Sequence, residues 1–386
     1  MSVTAPRGFR ASGVAAGLKA SGRRDLGLLV SDGPATAAGL FTRNAFAAAP
    51  VEICRRRLLD GSAQAIVANS GQANAGTGAA GLDDAEAVTA GTARTLGVRP
   101  TDVLPTSTGV IGPRLRVDTV LAGVGEAAAA LGRDGGPDFA DAIRTTDTVA
   151  KQTLVQANGF TVGGCAKGAG MIAPDLATLL VFLTTDAGCS PAVATHALRH
   201  GAAPVWNALT VDNCSSTNDT VLLLASGASG REPRPDQLAE AVREATRDLA
   251  AQVVADAEGA STSLVVQVEG AVSDADARRV GTSVAGSLLV KTAVFGKDPN
   301  PGRILQAIGS SGARFRPEAV AATLGRIPVI EAGAIPPSFD PAACTAAMKE
   351  REVVIHVILG GGDGRATAFG CDLGYEYVRI NGEYTT

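Results

Sequence analysis

The sequence predicts an α+β protein, and three observations carry that prediction. Helical and extended patterns alternate along the 386 residues without a strict β–α–β rhythm. No glycine-rich phosphate fingerprint follows a strand and opens a helix, which argues against a doubly wound nucleotide-binding sheet. The third observation is the stretch from Lys167 to Phe182. In it a small, glycine-broken polar loop runs straight into an apolar, β-branched and aromatic run, the pattern of a loop feeding a buried strand. Thr178 stands on that boundary. Its plain reading is a β-branched residue starting a strand; the functional one is a hydroxyl held rigidly between loop and core.

The elements follow in order. Residues 25–70 read as short strands separated by turns, Leu26–Val30 first and Gln64–Asn69 later. The small residues from Ser70 to Gly76 let a ligand or a second backbone come close, or simply connect two elements. Asp83–Gly97 reads as a helix. The short run Val103-Leu104-Pro105 leads to Thr106-Ser107-Thr108-Gly109, and residues 117–132 form an alanine-rich helix. Gln152–Val155 and Phe160–Gly164 flank the turn Gln156-Ala157-Asn158-Gly159 as a hairpin. Beyond Thr178, Ser190-Pro191 opens a helix that reaches about Leu209, and Asp219–Leu224 is a strand. Pro235 begins an amphipathic helix with Leu238, Val242, Ala245, Leu249 and Val253 on one face. Ser263–Val268 is a strand and Asp274–Leu288 a helix. Residues from about 290 to 386 read as a smaller unit. It has a helix near Ile304, strands at Val329-Ile330, Val353–Ile358, Arg365–Cys371 and Tyr377–Ile380, and a helix over 340–350. Gly360–Gly364 joins two strands, so it is read as a turn and not a nucleotide cradle.

Composition excludes several function classes. Nearly half the residues are apolar and aromatics are scarce, so alanine, valine, leucine and glycine fill the core. The net charge of −4 and the absence of a basic block speak against a nucleic-acid track. Arg55-Arg56-Arg57 reads as a solvated helix end. The cysteines, Cys54, Cys165, Cys189, Cys214, Cys344 and Cys371, are scattered without a C-x-x-C pair, as small core residues are in a reducing compartment. Residues 1–13 lack the apolar core of a signal peptide, and no apolar run approaches the ~18 residues of a membrane span. We therefore expect a cytoplasmic protein without nucleic-acid or membrane partners.

Several motifs resemble one family over nearly the whole chain. They run in order through Gly8-Phe9-Arg10, Phe41-Thr42-Arg43-Asn44, Ser107–Gly112, Thr145-Thr146-Asp147, Lys167–Thr178 and Ser216–Thr220. They continue through Asp256–Gly259 and Asp298-Pro299-Asn300 to Glu383–Thr386. The chain is identified by them as similar to the ornithine acetyltransferases of arginine biosynthesis, which also make N-acetylglutamate. The resemblance implies a helix–sheet–sheet–helix sandwich of the ornithine acetyltransferase/aminopeptidase type. It implies autocatalytic scission between Ala177 and Thr178, giving an alpha chain 1–177 and a beta chain 178–386 that assemble as a heterotetramer of two alpha and two beta chains. It also implies acetyl transfer from N-acetylornithine to glutamate through an acetyl-threonine. Acetyl-CoA is a further donor in some members, and others serve secondary metabolism. The resemblance makes Thr178 the nucleophile and Thr108 and Gly109 the oxyanion donors. It places Thr145, Lys167, Glu258, Asn381 and the terminal Thr386 at the substrate. No cofactor or metal is implied. The chain departs from the family at Pro301, where tryptophan is common, and at Gly76, where cysteine is frequent.

The residues agree with that chemistry on their own terms. A threonine hydroxyl needs a base to take its proton. Only His196, His200 and His356 are available, and none belongs to a Ser-His-Asp pattern. His196 and His200, four apart on one helix, lack a third metal ligand nearby, and His356 alternates with apolar residues as a core residue would. An α-amine freed by scission before Thr178 supplies the missing base, with a pKa of roughly 7.7–8. Lys167 and Glu258 have competing readings as a surface charge and a helix-end cap. Two other functions stay open: a self-processed aminopeptidase or amidase that passes the acyl group to water, and a non-catalytic amino-acid-binding protein that stays intact.

Overall fold

A long, bent strand joins the two layers of the main sheet. The computed structural model describes residues 2–174 and 179–383. The chain opens with β1 (Phe9–Val14), β2 (Leu26–Phe41), α1 (Ala49–Arg57), β3 (Ser62–Gln72), α2 (Gly78–Leu96) and β4 (Val103–Val110). It continues through α3 (Val117–Ala129), α4 (Gly136–Ala142), the hairpin β5 (Lys151–Ala157) and β6 (Phe160–Lys167), and β7 (Leu180–Thr185). Then come α5 (Pro191–Ala197), α6 (Ala203–Trp206), β8 (Thr220–Ala225) and α7 (Pro235–Ala255). Among the described residues these strands form one sheet in the order β4-β3-β2-β8-β7-β6-β5, with β1 also on β2.

Instead of the several short strands expected in 25–70, β2 is one strand of 16 residues. Its register on β3 breaks between Val30 and Ala35, where Pro34 removes a ladder donor. The first half pairs with β1 and β3, and the second half with β8. The sheet therefore folds over on itself. Alternation then decides each face. Leu28 and Val30 pack outward with Val67 on Val88, Val120 and Val124 of α2 and α3. Leu29 and Ile66 point inward and meet Phe182 and Leu222 from the opposite layer. Val181, Leu183, Val221 and Leu223 face out on the far side against Leu238, Val242, Leu249 and Val253 of α7. Helix, sheet, sheet and helix are stacked as the resemblance implied.

A second, five-stranded sheet follows. It uses β9 (Ser263–Ala271), β10 (Ala321–Leu324), β11 (Ile327–Ile330), β12 (Glu352–Ile358) and β13 (Gly364–Cys371) in the order β11-β10-β12-β9-β13. Three helices, α8 (Asp274–Gly286), α9 (Leu288–Gly296) and α10 (Pro301–Gly309), cover one face through Val280, Val284, Val294, Ile304 and Ile308. The chain closes with α11 (Pro341–Ala347) and α12 (Tyr375–Glu383).

Four expectations need correction. Tyr377–Ile380 alternates polar and apolar residues, yet it lies inside α12. The helix expected from Pro191 to Leu209 passes through a π-helical stretch at Leu198–Ala202, because Pro204 cannot supply the next α-helical donor. His356 lies on the second sheet's other face, opposite Ile355 and Val357, half-buried with Nε2 3.1 Å from Glu269 Oε1. Cys189 and Cys214 depart from the core pattern: Cys189 is half-buried and Cys214 exposed. Elements not anticipated are β1, α1, α4, α9 and β10, although Arg55-Arg56-Arg57 does form the last turn of α1.

Candidate active site

The strand ends of the main sheet converge with three loops and α12 on one cleft that is open to solvent and spans about 730 Å³. Thr108 and Gly109 reach it from the end of β4. The Gly109 φ of +125° is one that residues with a Cβ rarely adopt, and a Cβ there would sit 2.3 Å from the Gly71 carbonyl carbon. Glycine thus lets β3 and β4 approach closely at the edge of the cleft. The neighbouring backbone is pinned. Ser107 Oγ donates to Asn69 Oδ1 at 2.6 Å, and Asn218 Nδ2 donates to the Ser107 and Ala73 carbonyls at 2.8 and 2.7 Å.

Two lysines on the adjacent strands β5 and β6 have different surroundings. Lys151 is fully buried and donates to Asp147 Oδ1 at 2.7 Å and to Asp256 Oδ2 at 2.6 Å. Asp147 also accepts the Gly168 N–H at 2.7 Å and the Thr145 N–H at 3.0 Å. Burial alone would raise the Asp147 pKa. The charges of Lys167 and Lys151 and these hydrogen bonds outweigh it and hold the carboxyl well below the usual carboxylate range. Lys167, at the end of β6, is 3% exposed, lines the cleft, and has no ion pair among the described residues. Burial pushes its pKa down, against the opposing pull of Asp147, Glu258 and Asp219.

Two acidic residues, Glu258 and Asp212, line the same cleft as Lys167, and Asp219 is buried beside it. The Glu258 N–H donates to the Ala169 carbonyl at 2.9 Å, and Glu258 Oε2 accepts from Asn381 Nδ2 of α12 at 2.9 Å. A Cβ on Gly170 would fall 2.4 Å from that same Oε2, so glycine makes room for the carboxylate. Asp212 Oδ2 accepts the Met171 N–H at 2.6 Å and the Tyr377 hydroxyl at 3.1 Å. Its Oδ1 accepts the Ile172 and Cys214 N–H groups at 2.8 and 3.0 Å. Asp219 Oδ1 accepts the Leu179 N–H at 3.1 Å, while its buried Oδ2 has no partner among the described residues. Burial holds the Asp219 carboxyl well above the ordinary carboxylate range.

Thr108, Gly109, Thr145, Lys167, Glu258 and Asn381, expected from scattered segments, all line this one cleft. Ala177, Thr178 and Thr386 lie outside the described residues. Sequence reasoning missed Asp212, Tyr377 and Met171 as lining residues, and it missed the Lys151–Asp256 pair beneath the cleft. Among the described residues no group of three or more His, Cys, Asp and Glu side chains could hold a metal ion. No helix among them is long and apolar enough to cross a membrane. The cleft brings one buried cation, Lys167, together with the acidic Glu258 and Asp212 and the hydroxyl-bearing Thr108 and Thr145. That arrangement suits a small molecule carrying both a carboxylate and an amine.

Known proteins match the chain from end to end. The ArgJ family model covers residues 10–386. The arginine biosynthesis bifunctional protein ArgJ of Thermobifida fusca is 45% identical over 387 residues, covering 100% of both chains. Its namesake from Symbiobacterium thermophilum is 46% identical over 397 residues, covering 100% of this chain and 98% of the other. Among solved structures, the arginine biosynthesis bifunctional protein of Bacillus halodurans is similar with a TM-score of 0.51. That likeness has 39% identity and covers 53% of this chain and 98% of that one.

Proposed function

Because the chain belongs to the ArgJ family, we propose that it transfers acetyl from N-acetylornithine to glutamate after cutting itself before Thr178. One observation carries this reading: a buried lysine without an ion pair among the described residues shares a cleft with Thr108, Gly109 and Glu258. Both amino acids have an α-carboxylate, which Lys167 binds. Glu258 pairs with the substrate amine. Thr178 Oγ takes the acetyl group as an ester, ornithine leaves, and the glutamate amine then receives the acetyl. The Thr178 α-amine acts as base. Thr108 and the Gly109 N–H stabilise the anionic oxygen of each tetrahedral intermediate, where losing one donor costs about 3 kcal/mol of barrier. Thr145, Asn381 and Thr386 complete the substrate pocket, and alpha and beta chains pair two by two.

Stepwise N-terminal degradation of purified protein tests the premise. The expected second sequence is Thr-Leu-Leu-Val. Thr178→Ala should remain folded, uncut and inactive. An uncut preparation with full activity would sink the proposal. Acetylornithine consumed at full rate without glutamate would make the enzyme an amidohydrolase instead.

A further inference from the structure

We infer that an open groove between α7 and the second sheet binds a small diphosphate. The groove spans about 1140 Å³ and shares no lining residue with the Lys167 cleft. Four arginines from three elements line it: Arg243 and Arg247 of α7, Arg278 of α8 and Arg365 of β13. The chain as a whole carries a net charge of −4, so four cations gathered in one concavity run against its overall balance.

The local structure leaves most of this charge unanswered. Arg243 and Arg247 stand four apart on α7, a spacing at which like charges repel. Arg243 is engaged: it pairs with Glu240, and its Nη2 donates to the His200 carbonyl at 2.9 Å. Arg247 has no ion pair among the described residues. Arg278 stands four residues after Asp274, the first residue of α8, yet no ion pair joins them. Asp274 Oδ1 instead accepts the backbone N–H of Arg365 at 2.8 Å. Arg365 sits where the β13–β9 register shifts, between Gly364 and Ala366, and such a bulge re-aims a side chain. Its guanidinium has no ion pair among the described residues either. The other carboxylate of the groove, Glu269, is taken by His356, with Oε1 3.1 Å from Nε2. Three guanidinium groups, those of Arg247, Arg278 and Arg365, are thus brought to one groove without an ion pair among the described residues.

That donor set selects the ligand class. A guanidinium fork matches the oxygens of a phosphate two at a time. One phosphate carries at most about two negative charges, so three forks suit two linked phosphates better than one. Pro204, Val205 and Phe369 add an apolar wall against which an organic part of the ligand can pack. Concavity and that wall together favour a small molecule.

Isothermal titration calorimetry at low salt tests the site, with sodium pyrophosphate and ADP as probes. Both should bind wild type saturably, one per chain. R247A, R278A and R365A should each weaken binding roughly tenfold, as expected for loss of a charge-assisted hydrogen bond. R278K, which keeps the charge and loses the fork, should bind more weakly than wild type. The triple variant R247A/R278A/R365A should bind neither probe, and its melting midpoint shows whether the fold survives. ADP binding more tightly than pyrophosphate would support a ligand whose organic part uses the apolar wall; equal affinities would support a free diphosphate. Wild type that binds neither probe at millimolar concentration would overturn the inference. So would a folded triple variant with unchanged affinity.

Discussion

Lys151 and Lys167 lie on neighbouring strands, yet one is structural and the other faces the cleft. Lys151 sits opposite Ala166 in the β5–β6 register, so it shares the Ala166 face, and Lys167, one residue on, takes the other. The first lysine is closed by two carboxylates, Asp147 and Asp256. The second is buried just as deeply and has no such partner among the described residues. A buried charge without a partner is costly, and a fold keeps one where a ligand completes it. The difference teaches that burial of a polar group does not mark a site. The unfilled valence does.

Removing each lysine should separate the two cases, and the larger loss of stability belongs to Lys151. Lys151→Met leaves Asp147 and Asp256 buried without their cation, a loss of about 3–5 kcal/mol. Urea unfolding measures it, and an unchanged midpoint would erase the distinction drawn above. Lys167→Met should shift the loss to activity. Stability falls less than for Lys151→Met, because no ion pair is broken although Asp147 loses a nearby positive charge, while kcat/KM falls by roughly 100- to 1,000-fold through the lost carboxylate contact. The lowered Lys167 pKa adds a pH signature: KM should climb below the usual lysine range of roughly 10.4, as the ammonium is lost early. Lys167→Met, lacking that group, should show no such climb.

Asp147 sharpens the comparison from the acid side. Its folded pKa is depressed below the unfolded value of roughly 3.9, so its contribution is present above that pH. That contribution is lost as pH falls from about 4 through the folded value. Wild type should therefore weaken steeply below pH ~4, and Asp147→Asn, already less stable, should show a shallower slope over the same range. Unfolding curves at stepped pH read this directly. Parallel slopes would mean that Asp147 is not the group being titrated.

Much of this was legible in the chain. The apolar run after Thr178, the Gln152–Gly164 hairpin and the Pro235 helix were visible because period and turn residues agree. The cleft residues came from motifs, since nothing local brings Thr108, Lys167 and Glu258 together. Long-range pairing was not readable: β2 looks like several strands because the Ser31–Pro34 stretch breaks its pattern without ending it. Tyr377–Ile380 misled for a different reason. Its alternation mimics a strand, but Arg379 pairs with Glu376 at 2.6 Å and Glu383 at 3.4 Å, at the i,i+3 and i,i+4 spacings of a helix. Those charges were in the sequence and outrank a four-residue alternation. Asp212 gave no local signal at all. Its four partners come from residues 171, 172, 214 and 377.

The smallest expected effect lies on α12, which reaches the cleft from the surface. Asn381 is exposed, and its Nδ2 donates to Glu258 Oε2 at 2.9 Å and to the Tyr377 carbonyl at 3.0 Å. A hydrogen bond to a charged group at an exposed position is worth about 1 kcal/mol net. Asn381→Ala should therefore raise KM for the amine-bearing substrate about fivefold, with kcat and the self-cut unchanged, as Glu258 loses the group that orients it. The Glu258 backbone bond to Ala169 at 2.9 Å does not involve Asn381, so the carboxylate stays in the cleft and the effect is bounded. A far larger loss would show that the contact Asn381 makes in the pocket matters as much as that of Lys167, beyond its orienting of Glu258. No loss at all would show that Glu258 is held by its loop alone, and that α12 resembles the closed Lys151 region more than the open cleft.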